Sequence, residues 1–191
     1  MLVRPSELPA GEWMEFRNSS YFIKNNVDLP SPEDVRQQGA REDEGPVCRG
    51  EDRPRAVVFK ELGLLAKYGT EITIAEAQCL WFFNRHLKNK VPTPELFVWR
   101  HDDNQVFIYM QLVQGDTLEQ RWPSLSTEER RSICRELKGF VETWRGLQQE
   151  TQPYFIGKAT WDPLGYPSCL LTTARPHRRP RSRRHHLQRC R

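Results

Sequence analysis

The chain has 191 residues, with 37% hydrophobic and 28% charged side chains. That is enough for one ordinary soluble domain with a real core. It contains no run of 18 apolar residues, so no membrane span is expected. The first residues, MLVRPSELPAGEW, lack the apolar stretch of a secretory leader, and a cytoplasmic address is the expectation.

The formal net charge of +4 is not spread along the chain. Residues 175–191 carry eight arginines and no Asp, Glu or Lys; the remainder holds 21 basic against 25 acidic side chains, a balance of −4. The basic character therefore sits in a tail, and the body is mildly acidic. Five cysteines at irregular spacing, with no C-x-x-C, suggest neither a zinc site nor a disulfide framework. Cys79 and Cys134 fall in helical patterns and are expected as buried, reduced thiols.

Taken in order, residues 1–30 mix Trp13, Phe16, Tyr21 and Phe22 with polar residues, as a segment that wraps a domain or forms a short helix. Ser31-Pro32-Glu33-Asp34 opens a helix: a serine cap, proline at the first position, then two acids that suit the dipole. It is expected to end near Gly39, and residues 39–55 read as a mobile loop. Ala56–Phe59 and Gly63–Tyr68 are strand patterns, the second carrying Lys67. After the turn signal Tyr68-Gly69-Thr70, a helix is predicted from Thr73 to Leu87, with Glu76 in its first turns. The Val91-Pro92-Thr93-Pro94 connector cannot continue it.

A hairpin follows, Glu95–Arg100 and Gln105–Leu112, with His101-Asp102-Asp103-Asn104 as the turn. Residues 113–116 link it to a brief helix opened by Asp116 or Thr117 and broken by Pro123. Ser126-Thr127-Glu128-Glu129 is a capping box. The long helix it opens runs to about 149 and puts Ile133, Leu137, Phe140, Val141, Trp144 and Leu147 on one face, a stripe predicted to face the core. From Thr160 onward no period survives. The arginine-rich end is expected to be disordered.

The ordered set LLAKYG (64–69), ITIAEAQCLW (72–81), VPTPELFVW (91–99), VFIYMQLVQGDTLEQRWPSL (106–125) and FVETWRGL (140–147) resembles the fungal aminoglycoside-phosphotransferase-like proteins, relatives of choline kinases with a protein-kinase-like fold. The resemblance covers roughly residues 55–157. It implies an α+β fold: a kinase-like N-lobe, an antiparallel sheet plus one helix, at 55–114, then the first helices of a helical C-lobe at 115–157. An extension at 1–54 with a short helix and loop precedes these parts. An irregular, Arg-rich tail at 158–191 follows them. The family activity is ATP-dependent phosphorylation of a small-molecule hydroxyl or amine. By resemblance, Lys67 contacts the nucleotide phosphates as a point charge, Glu76 holds Lys67 in place, Met110 sits behind the adenine, and Gln111 to Val113 form the hinge whose backbone pairs with it.

Phosphoryl transfer also needs Mg²⁺ held by carboxylate or amide oxygens, and an acid that orients the attacking hydroxyl. In the family these lie after the long helix. In this chain the last Asn is Asn104, the last Glu is Glu150 and the last Asp is Asp162. His101-Asp102-Asp103 has the right letters, but in the hairpin turn. No catalytic or metal residue is therefore assigned, and the Mg²⁺ site is incomplete. The sequence beyond Gly157 has the look of a shifted reading frame, so the expectation is a truncated, non-catalytic member that still senses ATP weakly. Two other readings stay open. One is a nucleotide-binding or interaction module that self-associates through an exposed lobe face. The other is nucleic-acid binding by the arginine tail alone.

Overall fold

The computed structural model describes residues 2–3, 7–25, 27–42 and 54–149. Residues 43–53, the middle of the loop expected at 39–55, lie outside the described residues, as do the end of the resembling region at 150–157 and the arginine-rich tail at 158–191. The elements are β1 (Leu2–Val3), β2 (Trp13–Glu15), α1 (Ser20–Lys24), α2 (Pro32–Glu42), β3 (Arg55–Phe59), β4 (Leu64–Gly69), α3 (Ile74–His86), β5 (Leu96–Asp102), β6 (Gln105–Gln111), α4 (Leu118–Arg121), α5 (Thr127–Arg145) and β7 (Gln148–Gln149). Five strands form one open antiparallel sheet in the order β2-β5-β6-β4-β3. A short parallel pair, β1 with β7, stands apart. The fold is α+β.

Strand periodicity divides the core in two. On one face, Leu64, Ala66 and Tyr68 of β4 and Phe107 and Tyr109 of β6 pack with Tyr21 and Val35, from α1 and α2. On the other, Val106 and Ile108 pack with Trp99 and with Ala77 of α3. Residues 13–42 thus supply an edge strand and a covering layer to the same sheet. Trp99 is fully buried, and its indole N–H donates to the Gly11 carbonyl at 3.0 Å.

Helix α2 does not end near Gly39 but runs on to Glu42. Gly39 is not a stop. It is the point where the helix backbone meets the sheet: a β-carbon there would collide with the Tyr68 hydroxyl and press on Val57. Gly63 is the true left-handed glycine (φ 59°), and it closes the 3₁₀ turn Lys60–Leu62 that joins β3 to β4.

The β5–β6 turn is tighter than expected. His101 and Asp102 stay in the strand, and only Asp103 and Asn104 turn, both at positive φ (50° and 59°). Such a two-residue connection matches the twist of its strands. Arg36 of α2 clamps it, donating from Nε to Gln105 Oε1 at 3.0 Å and pairing with Asp102 at 2.5 Å.

The expected capping box of Ser126 with Glu129 forms at α5, and at α4 the cap is Thr117, which makes a second box with Gln120. The hydrogen bonds from Ser126 hold the Glu129 carboxyl below its ordinary pKa. The apolar stripe of α5, however, is not core-facing. Leu147, just past the helix, is buried with Phe82, Leu87 and Val91; Leu137 and Trp144 are 45% and 42% exposed. Toward its end the helix meets α3 rather than the sheet: Trp144 meets the Phe83 ring edge-on at 6.0 Å, and Phe140 packs against the Phe82 and Leu87 cluster. Cys134 on this helix is accordingly exposed and free rather than buried. Cys79, half-buried on α3, is disulfide-bonded rather than a free thiol.

Asn84 staples α3 to the proline connector. Its amide donates to Thr93 Oγ1 (2.8 Å) and the Pro94 carbonyl (2.9 Å), and its oxygen accepts from the Leu96 N–H (2.8 Å). Asn84→Ala removes all of these and is expected to cost about 3 kcal/mol in urea unfolding. Tyr109 gives a second test. Its hydroxyl is buried without a hydrogen-bond partner among the described residues, and burial pushes its pKa up to about 12. The folded value lies above the unfolded one of 10.0. The associated stability is therefore intact below pH 10 and is lost as pH rises toward 12. Tyr109→Phe is expected to flatten that alkaline loss in pH-dependent unfolding, with no penalty at pH 8 because no hydrogen bond is given up.

Candidate functional site

Alternation along β4 decides where Lys67 goes. Leu64, Ala66 and Tyr68 enter the α1–α2 core, so Leu65 and Lys67 face α3. The register sets Lys67 beside Ile108 and Leu65 beside Met110 on the central strand β6. Glu76, in the first turn of α3, lies over this face. An acid there also complements the positive end of the helix dipole.

Lys67 Nζ and Glu76 Oε1 form a direct ion pair. Each side chain is 30% exposed, so the pair is neither fully solvated nor sealed. Lys67 can present its ammonium to an anion without first leaving an apolar site, and Glu76 limits the directions it can take. Glu76 also lines a cavity of about 250 Å³ together with Cys79, Leu80, Phe83, Pro94, Ile108 and Met110.

The structure thus gathers Lys67, Glu76 and Met110 on one face of the sheet. Gln111 and Val113 lie apart from that cluster, at the exposed exit of β6. The Gln111 N–H is already donated to the Glu95 carbonyl (2.8 Å), and its side-chain oxygen accepts from the Glu95 N–H (3.3 Å). The Leu112 N–H bonds the Gly63 carbonyl at 2.9 Å, tying the strand exit to the β3–β4 turn. Val113 is 64% exposed.

Sequence reasoning did not assemble the cavity itself. Cys79, Leu80 and Phe83 recur at helical spacing and were readable only as core, while Pro94 belongs to the connector. Their convergence depends on how α3 lies across β6, and one-dimensional spacing does not carry that.

No protein-family model matches the chain, and no curated protein or solved structure is significantly similar to it.

The ion pair is open to direct measurement. In a double-mutant cycle of Lys67→Met and Glu76→Gln, the coupling energy is expected to be about 0.5–1 kcal/mol at low salt and to shrink in 1 M salt, since the pair is partly solvated. A coupling indistinguishable from zero at low salt would show that the two side chains do not hold one another in solution.

Proposed function

We propose that this chain carries the nucleotide-binding half of a kinase-like phosphotransferase of the aminoglycoside-phosphotransferase and choline-kinase type, and that it binds ATP without turning it over. The observation that carries the proposal is the ion pair between Lys67 on a central antiparallel strand and Glu76 on the helix packed against it. Lys67 would meet the phosphates as a point charge, and Glu76 would keep it from swinging into solvent. Met110 would close the back of the base site, and the backbone from Gln111 to Val113 would run along its edge. The residues present fit this use. The lysine is held and partly solvated, its partner Glu76 lines an apolar cavity, and β6 ends at Gln111 beyond Met110 of that cavity.

ATP would supply the transferable phosphoryl group. Moving it would require magnesium ligands and an acid to orient the acceptor. The sequence has no Asn after Asn104 and no carboxylate after Asp162, and among the described residues no three or more His, Cys, Asp or Glu are grouped so as to hold a metal ion. No step through magnesium is therefore derived. On this reading the chain by itself is a kinase-like remnant, and the small-molecule acceptor belongs to the family activity rather than to these residues.

A thermal-shift titration with ATP tests the reading. ATP is expected to raise the midpoint of the full chain by a few degrees at millimolar concentrations. Lys67→Ala is expected to remove most of that shift while leaving the unliganded midpoint within about 2 °C of the parent, as befits a partly exposed pair. Equal shifts in parent and variant would remove Lys67 from the account. Magnesium-dependent release of ADP with any alcohol or amine would overturn the absence of turnover.

A further inference from the structure

A second concave surface lies at the other end of α3. It is a groove of about 690 Å³ between α1, the last turn of α3 and the proline connector, within the range of small-molecule sites. Three cations line it. Lys24 ends α1, Arg85 is in the last turn of α3, and Lys88 lies just beyond that helix. The described residues place no acid within ion-pairing distance of any of them.

One acid, Glu95, does line the groove, but it is already engaged. It accepts from the Ser20 N–H at 3.2 Å and from the Ser20 hydroxyl. Ser19, also in the lining, is 4% exposed, and its hydroxyl has no hydrogen-bond partner among the described residues. Arg85 is not loose: its guanidinium lies over the Trp81 ring at 5.5 Å, which fixes the plane from which it donates.

Arg85 and Lys88 alone would be ordinary complements to the α3 C-terminus. Lys24 is not explained that way. It arrives from a separate helix, so cations from two elements line the same groove. Phe16 and Trp81, both half-buried, give the recess an aromatic wall.

We propose that this groove binds a small organic phosphate. A phosphomonoester offers three oxygens, suited to the planar donor fork of Arg85 and the point charges of Lys24 and Lys88. Its organic part would lie along Phe16 and Trp81. Lys67 and Glu76 are not among the residues that line this groove, which shares Gln111 alone with the residues assigned to the nucleotide.

Calorimetric titration of the full chain with phenyl phosphate tests this, with benzoate and inorganic phosphate run at matched ionic strength. Phenyl phosphate is expected to bind saturably and tighter than either control. Lys24→Ala and Lys88→Ala replace exposed side chains and should not disturb folding, which circular dichroism checks. Each is expected to weaken binding about tenfold, the effect of losing one charge-assisted contact. Lys67→Ala is expected to leave it unchanged. No saturation up to about 10 mM overturns the proposal, since that is weaker than a specific site would give. So does unchanged affinity in both lysine variants, benzoate binding as tightly as phenyl phosphate, or loss of binding in Lys67→Ala, which would put the ligand in the other site.

Discussion

The structure depends on the strict alternation of β4 between two packed faces. Ala66, fully buried, commits one face of the strand to the α1–α2 layer. Once that face is committed, Lys67 has nowhere to go but toward α3, because successive side chains on a strand point to opposite sides. A one-residue slip would bury the ammonium among Tyr21, Val35 and Phe107 and push Ala66 out. The hydrophobic packing of one layer therefore aims the charged group of the other.

That packing relies on the N-terminal segment. Tyr21 and Val35 fill the core beneath β4 and β6, Gly39 lets α2 come down onto Tyr68, and Arg36 grips the β5–β6 turn. Tyr68 and Phe107 stack face to face at 5.2 Å within this layer. Without residues 13–42, the sheet would expose an aromatic face to water, and the register that positions Lys67 would lose its main constraint. The same segment supplies Lys24 and Ser19 to the second groove. It therefore serves both as a structural layer and as one wall of a charged recess.

Helix α5 is organised differently. It is well capped and strongly amphipathic in sequence, yet among the described residues its apolar side chains meet the rest of the fold toward its end, at Phe140 and Trp144, next to Leu147. The cap is a local device and forms from residues three positions apart. Burial of the stripe needs a partner surface, and the described residues supply one only to the end of the helix. Leu137 and Trp144 stay partly in solvent as a result.

The amino-acid sequence by itself determined the elements whose causes are local. The capping boxes at Thr117 and Ser126, the proline connector after α3, the strand run from Val106 to Met110 and the placing of Lys67 and Glu76 on adjacent elements all follow from residues within a few positions of one another. Tertiary structure decided what depends on distant surfaces meeting. It turned Gly39 from a helix stop into a contact point, extended the hairpin strands to Asp102, brought Met110 and Glu76 onto one cavity, and left the α5 stripe half bare. It also gathered Lys24, Arg85 and Lys88, which are unremarkable as letters and line one groove only because α1 and the end of α3 border the same concave surface. Backbone propensity and capping act over one turn or one pleat. Burial, charge convergence and cavity shape are set by which faces the whole chain presses together.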